Sequence, residues 1–261
     1  MPSDAPPPGG PLSRAALADM LADVRAYVRG IPTKPLVVLA LAPLLVTLSM
    51  RLATVKFARE LYGSIYRGKT FDPLYYWGWV FFLQAILFYA VPVAVIKLVF
   101  KEPLRNFGHR LRPALKLWPL AVLFLGVMIP VTYIASLSPS FKTFYPMYPG
   151  SYRGAQYFLT FEAGLFILFF TQEFFFRGFI IDGLEPHFGH SAILISTGLY
   201  ALGHYTKPLP EQLGAFLVGT LLGYLGARYK TFYFGIVVHY GVAFFMDAVL
   251  VVPVLMGAPR P

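Results

Sequence analysis

Hydrophobic positions along the chain fall into long runs separated by short polar gaps. Seven runs approach the roughly 20 apolar residues needed to cross about 30 Å of hydrocarbon; they lie at 35–53, 76–99, 117–136, 157–179, 191–204, 212–227 and 232–256. The fifth and sixth are short for a span and carry Gly and His, which suits helices enclosed by protein rather than facing lipid. The pattern predicts an all-α polytopic transmembrane bundle over 35–256. No internal repeat and no Pro/Gly-rich linker divides it into separate cores.

Ahead of the bundle, Leu12, Ala16, Leu17, Met20, Leu21, Val24, Tyr27 and Val28 recur at helical spacing, with Arg14, Asp19, Asp23 and Arg25 at other positions. That stripe predicts an amphipathic helix, suited to lying on the membrane surface or to packing on the rest of the protein. Residues 1–34 thus read as a disordered Pro/Gly-rich tail followed by this helix, and 257–261 as a short tail. The opening MPSDAPPPGGP lacks the basic start and apolar stretch of a cleaved signal peptide.

Composition agrees with a lipid environment: 57% of the 261 residues are hydrophobic and 13% are charged. The formal net charge of +10 comes from basic residues scattered between apolar segments. No basic run interleaves with aromatics, so the charge does not point to nucleic acid. Membrane lipids are the expected surroundings, and a modest excess of Lys and Arg, summed over the connecting regions on the same side of the membrane as the N-terminus, predicts a cytoplasmic N-terminus. With no cysteine, disulfides, thiolate metal ligands and a cysteine nucleophile are excluded.

Ionisable side chains inside the apolar runs carry the chemistry, because each is costly in hydrocarbon unless it meets a partner or a wet cavity. Glu173 and Arg177 are four residues apart in the run TQEFFFRGF, the spacing of an internal ion pair on a helix. His204 closes the fifth run and His239 lies inside the seventh, whereas His109, His187 and His190 fall in loops. One carboxylate and two imidazoles suit two kinds of chemistry. They can hold a divalent metal such as zinc, or activate a water while an imidazole stabilises the oxyanion. Glu162 falls on the same helical face as Glu173 three turns earlier, at a cavity entrance or at the water boundary. Lys207, in the proline-rich TKPLPE turn, can position a substrate carboxylate or simply snorkel. Gly219 and Gly223 have the spacing of a close helix contact.

These residues resemble the CPBP family, the CAAX-protease and bacteriocin-processing intramembrane endopeptidases, whose motifs run Glu-Glu-x-x-x-Arg, then aromatic-x-x-x-His, then His-x-x-x-Asn. Gln172-Glu173-Phe174-Phe175-Phe176-Arg177 matches the first at its second acid and its Arg, Tyr200-Ala201-Leu202-Gly203-His204 matches the second, and His239 opens the third. The resemblance implies a CPBP-like region over 157–256 in a multi-pass protein of a bacterial or archaeal cell membrane. It implies hydrolysis of a peptide bond in a membrane-associated protein or peptide, by a glutamic or a metal-dependent route. In that reading Glu173 and His204 activate water, His239 polarises the carbonyl, Arg177 holds Glu173, and Gln172 orients water or substrate. If a metal takes part, Glu173, His204 and His239 are its ligands.

Two positions depart from the family pattern. Gln172 stands where the first glutamate belongs, and a carboxamide accepts no proton at neutral pH. Ala243 replaces the third-motif Asn, and Asp247, the only acid nearby, lies about 80° around the helix from His239. The rival expectation is therefore an inactive CPBP-like scaffold or chaperone that binds hydrophobic tails. A transporter with Glu173 and the histidines as a proton relay is weaker, since no two-half symmetry is visible.

Overall fold

The computed structural model describes residues 13–66 and 71–260; the segment 1–11, read above as a disordered tail, lies outside them, as does Leu12, the first position of the predicted stripe. The protein is all-α, 84% helical with no strand among the described residues. In chain order the helices are α1 (Arg14–Gly30), α2 (Thr33–Leu52), α3 (Val55–Ile65), α4 (Pro73–Phe100), α5 (Leu111–Lys116), α6 (Trp118–Ser136), α7 (Pro139–Phe144), α8 (Ala155–Phe188), α9 (Ser191–Leu202), α10 (Leu209–Tyr229) and α11 (Tyr233–Leu255). Five of them, α2, α4, α6, α8 and α11, are long and apolar enough to cross a membrane. The remaining two predicted runs are also helical, but α9 has only 12 residues, and the glycines and end charges of α10 dilute its apolarity. The expected seven runs are thus seven helices, of which five meet the requirements of a span by themselves.

Helix α8 is the axis of the bundle. Of its apolar window, 78% is buried, against 17% for α6, because α4, α9 and α11 pack around it. Its phenylalanines supply the core: Phe174, Phe175 and Phe179 are fully enclosed with Phe107 and Phe232, and Phe175 stacks on Phe88 at 4.3 Å between ring centroids. Over Phe174–Ile180 the helix widens into a π turn, a local unwinding that is frequent at functional sites. Ser196 of α9 donates its hydroxyl to the Phe176 carbonyl at 2.6 Å within this turn. Gly178 lets the loop before α5 approach, since a Cβ there would lie 2.5 Å from the Phe107 carbonyl oxygen.

The entry to α4 is tied to the turn ahead of α8. Asp72 caps α4 by accepting from the Leu74 N–H at 2.9 Å, and it also accepts from Tyr148 and pairs with Arg153. Burial alone would raise its pKa, but these bonds outweigh it and hold the carboxyl below the ordinary aspartate value.

Helix α1 has its N-cap at Ser13, which accepts from the Ala16 N–H. None of its residues is buried, and the predicted apolar stripe stands open, with Met20 54% and Tyr27 74% exposed. The alternative of a helix packed on the rest of the protein is therefore not realised. The stripe leads through Gly30 and Pro32 straight into α2.

Candidate active site

Glu173 ends the regular part of α8 and is completely buried. Its Oε1 lies 2.9 Å from Nδ1 of His239 on α11, and its Oε2 is 3.3 Å from Nε of Arg177. The latter contact is an ion pair that lies off the hydrogen-bond axis. Room for the carboxylate comes from Gly235, one turn before His239, where a Cβ would fall 2.0 Å from Oε2. The charge count is simple: one buried carboxylate faces one buried guanidinium. An imidazolium at His239 would be a second cation without a counterion, so a neutral ring is the form this pocket favours.

Tyr200 of α9 lies beside three of these groups. Its hydroxyl is 3.2 Å from Nε2 of His239, its ring face carries the Arg177 guanidinium at 4.3 Å, and its carbonyl accepts from Nδ1 of His204 at 3.1 Å. The ring fits because α10 has glycine opposite it: a Cβ at Gly219 would lie 3.0 Å from Tyr200 Cδ1. Farther along α10, Gly223 faces Ile193 and Gly226 faces the stem of Arg177, so the glycine spacing marks helix contact. Stacking on Tyr200 is the contact found by the guanidinium head, whose Nη1 and Nη2 have no acceptor.

His204 sits in the turn that ends α9, its backbone N–H bonded to the Ala201 carbonyl. Its ring is 6.4 Å from that of His239, centroid to centroid, and both line a cavity of about 230 Å³ between α6, α10 and α11. The wall is mainly apolar, with Phe124, Met128, Val218 and Val242 among its members. At one end Lys207 pairs with Glu211 at 2.6 Å, and Tyr145 donates to the same carboxylate at 2.8 Å. Burial and then the charge of Glu211 push the Tyr145 pKa well above its ordinary value.

Hydrogen positions follow from these partners. A carboxylate and a carbonyl only accept, so His239 donates through Nδ1 to Glu173 and His204 donates through Nδ1 to Tyr200. Both neutral rings then keep a lone pair on Nε2. Glu173, His204 and His239 are brought to one place, but they do not fit a metal ligand set. The carboxylate oxygens are engaged by His239 Nδ1 and Arg177, and among the described residues no group of three His, Cys, Asp or Glu side chains is arranged to hold an ion. The donor arrangement suits a carboxylate-oriented imidazole instead.

Other candidates fall elsewhere. Gln172, half-buried, is not among the residues lining the cavity. Glu162 is not at a water boundary: it is 2% exposed and lies close to Asp247, 1% exposed, on α11, with neither carboxyl hydrogen-bonded to another group of the protein among the described residues. Asp247 is thus a neighbour of Glu162, while the bonds of His239 go to Glu173 and Tyr200. His109 lies in a loop as expected, yet its ring is packed among Tyr89, Phe174 and Phe232, where burial lowers its pKa. Sequence reasoning missed the Tyr200 hydroxyl, having counted Tyr200 only as the aromatic of its motif. It also missed Gly235, although its place four residues before His239 was a signal that could have been read.

Fold and site together define a polytopic helical membrane protein with a buried carboxylate, imidazole and guanidinium centre at the wall of an apolar cavity. Residues 154–245 match the family model described as Type II CAAX prenyl endopeptidase Rce1-like. This match supports the CPBP/CAAX protease family for that stretch, which includes Glu173, Arg177, Tyr200, His204 and His239. No curated protein and no solved structure matches the chain.

Proposed function

We propose that the protein is an intramembrane endopeptidase acting on a membrane-associated, lipid-bearing peptide or protein, with water activated by the Glu173–His239 pair. The observation that carries this reading is the 2.9 Å contact from His239 Nδ1 to Glu173 Oε1, backed by Arg177. A buried carboxylate on one side of an imidazole fixes its tautomer and stabilises the imidazolium that forms when the other side takes a proton. Arg177 holds the carboxylate in place; Glu173 acts through His239.

Once the substrate carbonyl is in place, the attacking water is held between the two imidazoles, donating one hydrogen to each Nε2. Its proton passes to His239 as the oxygen adds to the peptide carbonyl, and His239 returns that proton to the departing amide nitrogen as the C–N bond breaks. His204 holds the water on its other side. This exchanges the expected partners, pairing Glu173 with His239 in place of His204. The apolar cavity suits the hydrocarbon part of a lipid-tethered substrate, and that chemistry agrees with the prenyl substrates named in the family description.

A second reading is favoured by Gln172 and Ala243, the two positions that lack the family's usual groups. On it the cavity binds hydrophobic tails without cleaving them. One experiment separates the two. The purified protein in lipid vesicles is given a farnesylated peptide, and products are read by mass spectrometry with and without a chelator. The proposal expects cleavage at the same rate in both. Binding without products supports the scaffold.

A further inference from the structure

We infer that the Tyr200 hydroxyl is the oxyanion donor of this site, occupying the role that an asparagine four residues after the third-motif histidine has in the resembled family and that Ala243 cannot fill. The inference rests on the hydrolase reading above. It begins from an inventory of hydrogens. The single N–H of His239 is directed at Glu173 and that of His204 at the Tyr200 carbonyl, so neither neutral imidazole presents a hydrogen to the cavity. At the end of the cavity, Lys207 donates to Glu211 and to the Tyr145 hydroxyl, and Tyr145 donates to Glu211. Against the His239 ring the donor that remains is the Tyr200 O–H, 3.2 Å from Nε2.

Placement favours the same role. An oxyanion donor works by being fixed before charge develops, in a place that excludes water. Tyr200 is 6% exposed and lines the cavity. Its ring is held by the Arg177 guanidinium on one face, by Phe176 edge-on at 5.4 Å, and by the gap left at Gly219. The guanidinium also brings positive charge close to where negative charge appears on the substrate.

The same hydroxyl links substrate arrival to base activation. At rest it donates to the Nε2 lone pair of His239 and covers it. When a peptide carbonyl enters, rotation about the C–O bond of the phenol redirects the hydrogen to the carbonyl oxygen. Nε2 is then free to take the water proton. As the water oxygen bonds to the carbonyl carbon, the π pair moves onto the carbonyl oxygen and is held by the Tyr200 O–H. Collapse reforms the C=O, breaks the C–N bond, and moves the proton from Nε2 to the leaving nitrogen. Tyr200 ends the cycle with the proton it began with.

Tyr200→Phe removes the hydroxyl and keeps the ring, the Arg177 stack and the backbone bond to His204. The expected result is a fall in kcat of about 10²-fold, the usual loss for one oxyanion donor, with KM unchanged. Adding Ala243→Asn to Tyr200→Phe restores part of the lost kcat, which a structural role for the hydroxyl would not allow. A second measurement covers poor expression of either variant: affinity for a phosphinic peptide, which mimics the tetrahedral intermediate, against that for the matching amide. Tyr200→Phe should weaken the phosphinate alone. The inference is overturned if Tyr200→Phe keeps the parent kcat and phosphinate affinity, or if Ala243→Asn recovers nothing. A parent protein that neither cleaves nor prefers the phosphinate overturns the hydrolase reading and this inference together.

Discussion

Replacing Gly235 with alanine probes the site without replacing any of its polar groups. The new Cβ would stand 2.0 Å from Glu173 Oε2 and 2.9 Å from its Cδ. Ordinary non-bonded contact is roughly 3.5 Å, so the oxygen must yield by about 1.5 Å. Glu173 has no water to move into, being 0% exposed, and its other oxygen is held at 2.9 Å by His239. Overpacking costs about 1–3 kcal/mol, and loosening a charged hydrogen bond adds about 1.5–3 kcal/mol. Alanine returns about 1 kcal/mol through its better helix propensity. The net destabilisation is about 1.5–5 kcal/mol, read as a drop in Tm of about 3–20 °C for a chain of this size. Cleavage should fall with it, since His239 loses its orienting carboxylate. Gly126→Ala is the control, because nothing lies within 4 Å of a Cβ there. A Gly235→Ala protein with parental Tm and parental cleavage would refute the packing of Glu173 against α11.

Arg177→Ala leaves Glu173 buried without its cation, at a cost of roughly 3–5 kcal/mol; thermal unfolding in detergent should show it, along with loss of cleavage. Arg177→Lys should keep part of the stability but less of the activity, because an ammonium lacks the planar face that stacks on Tyr200. Tyr145 has its pKa raised by burial and by Glu211, so it stays protonated in the fold while the unfolded chain ionises near ~10. Its share of stability is therefore complete below about pH 10 and is lost as pH rises beyond it. Base-induced unfolding should be shallower in Tyr145→Phe than in the parent.

How much of this was legible in the sequence depends on whether a feature lies within one helix or between helices. Glu173 and Arg177 pair at i,i+4 on α8, and the open stripe of α1 follows from its period, so both could be read from spacing. The partner of Glu173 could not. Whether His204 or His239 reaches it depends on how α11 and the end of α9 are rotated against α8, and the π turn at Phe174–Ile180 shifts that phase. The position of Asp247 around the helix argued correctly against a bond to His239, but its closeness to Glu162 needed the packing of α8 on α11. Span count was blurred for a related reason. Helices α9 and α10 hold glycines and His204 close by because they line the site, and those residues lower the apolar signal by which a span is recognised.

The most direct measurement is the cleavage rate of Glu173→Gln beside that of Gln172→Glu. An amide at 173 keeps the shape of the side chain but can present N–H to His239. That turns the imidazole tautomer round, puts the hydrogen on Nε2, and removes the base. The account predicts a fall in kcat on the order of 10⁴, as when the orienting carboxylate of a hydrolase triad becomes an amide, with the fold retained and Gln172→Glu near the parent rate. Parental cleavage by Glu173→Gln, or cleavage seen only in Gln172→Glu, would contradict it and leave Glu173 as the structural partner of Arg177.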